Sequence, residues 1–222
     1  MRIGAVGGAV EAAAVVLFAV SGMVTAARKR MDIVGTYSLA LVTAFGGGTL
    51  RDLLLDQRPF FWVVRWEYLL VIAVLCPGFV YSREVHTLVE RWHRSGAVLD
   101  ALGLALFTLT GVDAAMRARM PLFVAALIGV VTGCFGGVLR DVGAGEIPEL
   151  FRPGSLNALS AFAGSLVLLG GVFLALPGWL SASLGFATIV TLRLISVRFG
   201  MRVPDPIWLR ESTETDDGSR PS

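Results

Sequence analysis

Laid on itself with a shift of 89 residues and no gap, the chain repeats residues of unlike chemistry in one register. Phe18 falls on Phe107, Gly22 on Gly111, Arg28 on Arg117, Arg30 on Arg119, Met31 on Met120 and Thr43 on Thr132. The same shift carries Gly47-Gly48 onto Gly136-Gly137, Arg51-Asp52 onto Arg140-Asp141 and Pro59 onto Pro148. A duplication that keeps both charged and special-backbone positions commits two halves of the chain to one architecture.

Composition supplies the solvent. The 222 residues are 55% hydrophobic and 16% charged, with a mean hydropathy of +0.72, which marks an integral membrane protein. A spanning helix needs roughly 20 mostly apolar residues, and such runs fill the chain. The first, from about Gly4 to Ala27, is longer than the apolar region of a cleavable signal and is kept as a membrane helix. The second runs from Ile33 through Arg51-Asp52 to Leu55, and the third, a short one, from Tyr68 to Ser82, with Trp66 and Tyr81 as interfacial anchors. Past a charged connector, Arg83 to Arg94, the fourth runs from Ser95 to Met116 and the fifth from Pro121 through Arg140-Asp141. Gly154 to Leu192 carries no charge, and Pro177-Gly178-Trp179 reads as a turn between a sixth and a seventh.

The fold expected is therefore an all-α polytopic membrane protein of seven transmembrane helices. Residues 1–93 form a three-helix repeat with its connector, 94–177 a second repeat, 178–203 the seventh helix, and 204–222 a polar cytoplasmic tail. Three spans is an odd number, so the second repeat enters from the opposite side and the two are inverted about an axis in the membrane plane. Inverted repeats suit a pathway open to both faces; duplication for packing alone is the alternative. Lys29 and ten arginines fall on one face against five arginines on the other, which puts the C-terminus in the cytoplasm and the N-terminus outside.

Charge and spacing exclude several functions. A net charge of +2 is too small for nucleic acid, and His86 and His93 sit in the charged connector with no metal-ligand spacing. No metal, cofactor or covalent chemistry is expected. Cys76 and Cys134 lie in apolar runs and read as small buried hydrophobes.

The chemistry concentrates in Gly46-Gly47-Gly48-Thr49-Leu50-Arg51-Asp52 and Gly136-Gly137-Val138-Leu139-Arg140-Asp141. Each glycine lowers helix stability by roughly 1 kcal/mol relative to alanine, so a kink or unwound turn is expected at both motifs; close packing against a neighbouring helix is the other reading. Released carbonyls at a break would be cation contacts. Arg51 and Asp52 are adjacent and do not face each other on a helix. Arg51 lies roughly 9 Å to one side of the membrane centre and Asp141 a similar distance to the other, so about 18 Å separates them. Glu11, at roughly 7 Å, shares the depth of Arg51, and Asp100 matches Glu11 under the 89-residue shift. Two pairs are expected, Glu11 with Arg51 and Asp100 with Arg140, one near each mouth of a pathway, or alternatively as pairs that only hold helices together. Arg193 reads as a snorkelling arginine and Asp113 as a helix-end carboxylate.

With GGGTLRD in the second span, GGVLRD in the fifth and the three-plus-three-plus-one plan, the chain resembles the prokaryotic trimeric intracellular cation (TRIC) channels, also known as the glycine-transporter or UPF0126 family. The resemblance covers about Gly4 to Arg198. It implies a homotrimer in a bacterial inner membrane, in contact with membrane lipid, with one pore per protomer conducting K⁺ and, less selectively, Na⁺. It also implies that Gly46 to Gly48, Arg51, Asp52, Gly136, Gly137, Arg140 and Asp141 are functional positions. Phe135 stands where the first motif has Gly46, so a milder second break is expected, and no lysine precedes the second glycine pair, so lipid regulation is not carried over. The sign of the permeant ion is not legible in the residues alone, because arginines in a pore favour anions. The rival from another class is a secondary transporter of a small neutral solute such as glycine; a non-conducting structural protein leaves the doubled motif unexplained.

Overall fold

The structure, a computed structural model, describes residues 4–82, 96–152 and 155–199. Among these are eight α-helices, one 3₁₀ turn and no strand: α1 (Gly4–Arg28), α2 (Ile33–Leu54), α3 (Phe61–Val64), α4 (Glu67–Tyr81), α5 (Gly96–Arg117), α6 (Leu122–Gly143), the turn Glu149–Phe151, α7 (Asn157–Phe173) and α8 (Gly178–Phe199). Five of them, α1, α2, α5, α6 and α8, are long and apolar enough to cross a bilayer. α4, with 15 residues, and α7, with 17, are apolar but shorter. The connector Arg83 to Arg94, both histidines and the tail from 204 lie outside the described residues.

Helix ends follow local chemistry. Asp32 caps α2 by accepting the Gly35 N–H at 2.7 Å. α1 and α5 finish alike: Arg30 and Arg119 take left-handed φ values of 54° and 56°, and Met31 and Met120 each donate 3.0 Å back to Ala26 and Ala115. α2 and α6 finish the same way through Asp56 at 50° and Gly145 at 71°, with Gln57 and Glu146 each donating 2.8 Å to the carbonyls of Asp52 and Asp141. Every one of these equivalents is 89 residues from its mate, so the repeat extends to single turns. The turn expected at Pro177-Gly178-Trp179 sits slightly earlier: Ala175 takes the left-handed conformation, and Gly178 and Trp179 already belong to α8. α3 had no signal in the apolar pattern, because four residues carry no helical period.

The four long helices of the two repeats meet at a central crossing. A Cβ on Gly47 would overlap the carbonyl oxygen of Thr132, and a Cβ on Gly136 would lie 2.5 Å from that of Thr43. Exchanging the repeats turns one contact into the other, as a two-fold relation requires. Thr43 and Thr132 are fully buried and turn their hydroxyls inward, donating 2.6 Å to the Leu39 and Ile128 carbonyls. Beside the crossing Phe18 of α1 and Phe107 of α5 are buried together, ring centroids 5.0 Å apart.

These contacts correct one expectation. α2 and α6 are continuous helices through Gly46–Gly48 and Gly136–Gly137, with no unwound turn. Gly47 and Gly136 instead let two backbones touch, and the contact offsets their low helix propensity. Gly48 makes room for the Phe61 ring, a Cβ on Gly46 would meet the flexible tip of Leu139, and a Cβ on Gly137 would make only ordinary contact, with Arg140 Nη2 and Asp100 Oδ1 nearest at 3.9 and 4.0 Å.

Candidate functional site

Two polar vestibules flank the central crossing. On one side a cavity of about 340 Å³ is lined by Glu11, Arg51, Asp52, Arg65, Asp113 and Arg117. On the other a cavity of about 910 Å³ holds Arg28, Lys29, Arg140, Arg152, Arg193 and Arg198 against Asp100, Asp141, Glu146 and Glu149. Beneath the second, a void of about 20 Å³ runs from Asp100 and Arg140 to Phe18, room for about one water. Beyond Phe18 lies Phe107.

Each vestibule is built on the same clamp. Asp52 Oδ2 accepts the Phe61 N–H at 2.8 Å, folding the loop after α2 back over the helix end. Its other oxygen accepts from Arg51 Nε at 2.8 Å. Thus Arg51 and Asp52, adjacent in sequence, do pair, because the long arginine side chain curls back along its own helix; the expectation from helix geometry alone is corrected. The Arg51 guanidinium lies 5.2 Å from the Phe61 ring centre, and Arg51 and Asp52 are buried. Asp141 repeats the arrangement: Oδ2 accepts the Glu149 N–H at 2.9 Å, and Oδ1 accepts from Arg140 Nε at 2.9 Å. A buried arginine held this way has its charge compensated and its remaining donors aimed into the cavity.

Those donors meet the carboxylates that depth picked out. Arg51 lies 3.8 Å from Glu11, an ion pair without a hydrogen bond. Arg140 lies 2.8 Å from Asp100 and donates 2.6 Å to Ser21 Oγ of the other repeat. The structure thus joins Glu11 with Arg51 and Asp100 with Arg140, and it keeps Arg51 apart from Asp141.

Other side chains of the vestibules depart from the sequence expectation. Arg193 does not snorkel: it is 3% exposed, pairs with Glu149 at 2.5 Å and reaches Asp100 at 3.9 Å. The signal was present, since Ser181, Gly185, Ile189 and Arg193 recur every fourth residue on the buried face of α8. Asp113 bonds to Arg117 one turn along and lines the smaller vestibule. Lys29 and Glu146 close an ion pair of 2.8 Å at the rim of the larger one. The hydrogen bond from Lys29 holds the Glu146 carboxyl below its ordinary value of 4.5. Cys76 and Cys134 are free and buried, and no cluster of metal-ligand type occurs among the described residues.

Known proteins match this arrangement. The family model described as glycine transporter matches residues 8–83 and 97–172, two stretches whose starts and ends both lie 89 residues apart. The UPF0126 inner membrane protein YadS of Escherichia coli K12 is 34% identical over 189 residues, 85% of this chain and 90% of its own. A UPF0126 membrane protein of Vibrio cholerae is 36% identical over 194 residues, 85% of this chain and 77% of its own. Among solved structures, the TRIC trimeric intracellular cation channel orthologue of Rhodobacter sphaeroides superposes with a TM-score of 0.82 at 32% identity, over 89% of this chain and all of that one. A second TRIC cation channel structure gives 0.78 at 26% identity, over 90% of this chain and 96% of that one. With the duplicated clamp, the reciprocal crossing and these matches in hand, the chain belongs to the glycine-transporter or UPF0126 family, the family of the prokaryotic TRIC channels.

Proposed function

We propose that this protein is a monovalent-cation channel of a bacterial inner membrane, with one pathway in each protomer of a homotrimer. The observation that carries the reading is the pair of charged vestibules, one built on the Arg51 clamp and the other on the Arg140 clamp. A protein that only packed helices would gain nothing from cavities of about 340 and 910 Å³, each lined by an arginine clamped to its neighbouring aspartate. The related solved proteins are described as cation channels, and one of them as trimeric. Seven spans follow if α4 and α7, shorter than the bilayer core of about 30 Å, cross with the help of flanking segments such as α3. The distribution of basic residues then puts the Arg140 vestibule on the cytoplasmic side, with the N-terminus outside and the C-terminus inside.

Flux is passive, with K⁺ preferred over Na⁺, and the route passes Glu11, Arg51, the crossing, Arg140 and Asp100. Asp52 and Asp141 fix the arginines, and Gly137 leaves the cavity wall open beside Arg140. Carboxylates at both ends offset the arginines, fully in the smaller vestibule and in part in the larger, and allow cations to approach. The description of the family model favours a second reading, alternating-access transport of glycine, which the closed centre between two vestibules also suits. Proteoliposomes loaded with KCl and diluted into potassium-free buffer separate the two. The channel develops an inside-negative potential without any solute added, whereas a transporter shows saturable glycine uptake and no such potential.

A further inference from the structure

α8 stands outside the duplication, yet it places a buried guanidinium in only one of the two vestibules. On the Arg51 side Glu11 has Arg51 at 3.8 Å as its ion-pair partner. On the Arg140 side Asp100 meets Arg140 at 2.8 Å through Oδ1 and Arg193 at 3.9 Å through Oδ2. Arg193 also takes Glu149 Oε1 at 2.5 Å. Its Nε has no hydrogen-bond partner, so the side chain is not an optimised structural bridge; burying an arginine with an idle donor is unfavourable. What it does do is engage two carboxylates that line the larger vestibule.

We infer that Arg193 is a specificity-determining residue that lowers the cation preference of the Arg140 vestibule by masking Asp100 and Glu149. The inference rests on the channel reading. Charge counts support it: the smaller vestibule is balanced, three arginines against three carboxylates, while the larger carries six basic side chains against four acidic ones. Take away the Arg193 charge and Asp100 Oδ2 and Glu149 face the water. Cations then concentrate at that mouth and anions are repelled. Replace Glu149 instead, and Arg193 keeps only Asp100, 3.9 Å away and shared with Arg140, so the mouth gains net positive charge and attracts anions.

The test is the K⁺ to Cl⁻ permeability ratio of the full-length protein in planar bilayers, from reversal potentials in a KCl gradient. One unit charge at a water-filled mouth alters local ion occupancy by roughly threefold. Arg193→Gln is therefore expected to raise the ratio by about that factor and Glu149→Gln to lower it by about as much. The double replacement, Arg193→Gln with Glu149→Gln, cancels the change. A structural role predicts no opposition of sign. Equal or parallel shifts in the two single variants overturn the inference while leaving the channel intact. If Arg193→Gln does not assemble, an unchanged ratio in Glu149→Gln overturns it alone. A wild-type protein that gives no current overturns the channel reading and this inference with it.

Discussion

Gly47 of α2 lies in backbone contact with Thr132 of α6, so close that a single added methyl would overlap the Thr132 carbonyl oxygen. The relation is reciprocal, Gly136 against Thr43, and the two contacts together fix where the repeats cross. Backbone cannot yield as a flexible side chain can. Gly47→Ala is expected to cost at least 1–3 kcal/mol, the range for overpacking, and Gly137→Ala, with nothing nearer than 3.9 Å, to leave stability near wild type. Thermal melts followed by size-exclusion chromatography in detergent rank the two; greater damage from Gly137→Ala would contradict the assignment.

Asp52 and Asp141 each serve two partners, an arginine beside them and a backbone N–H of the following turn. Removing either carboxylate takes from the neighbouring arginine a counter-charge held at 2.8 Å. Asp52→Ala is expected to lose about 3–5 kcal/mol, the range for breaking one partner out of a buried pair. Asp52→Asn, which retains an acceptor for Phe61 N–H, loses less. The same melts decide it, and equal losses in both variants would show that the capping bond is irrelevant.

Under the proposed reading, Phe18 and Phe107, buried with ring centroids 5.0 Å apart beside the crossing, are the barrier between the vestibules. Phe18→Ala and Phe107→Ala each destabilise by about 3–5 kcal/mol and open space on the axis, so unitary conductance is expected to rise in whichever variant survives purification. Unchanged conductance would place the barrier elsewhere.

At the rim, the hydrogen bond from Lys29 depresses the Glu146 carboxyl. A depressed carboxylate stabilises the folded state fully above its ordinary value of 4.5 and gives that contribution up as pH falls through the lower folded value. Both side chains are more than a third exposed, so the contribution is small. The melting temperature of Glu146→Gln is expected to fall slightly below wild type at neutral pH and to converge with it under acid. A gap that widened on acidification would contradict the sign.

Much of this architecture was legible because duplication and membrane depth are properties of sequence. The 89-residue register and 1.5 Å rise per residue were enough to pair Glu11 with Arg51 and Asp100 with Arg140. What stayed hidden depended on a neighbour. Whether a glycine breaks a helix or admits another is decided by the facing backbone, and only the crossing shows Thr132 against Gly47. Arg51 and Asp52 pair through side-chain flexibility that a helical wheel omits. Arg193 points inward because Ser181, Gly185 and Ile189 at the same four-residue spacing bury that face of α8, which its charge alone does not reveal.

The central claim, a passive cation pathway through each protomer, is tested most directly by reversal potentials of the wild-type protein in planar bilayers under asymmetric KCl. Unitary currents reversing close to the K⁺ equilibrium potential, with conductance altered in Arg51→Ala and Arg140→Ala, are predicted. Currents reversing at the Cl⁻ potential, or no unitary events at all, would contradict it.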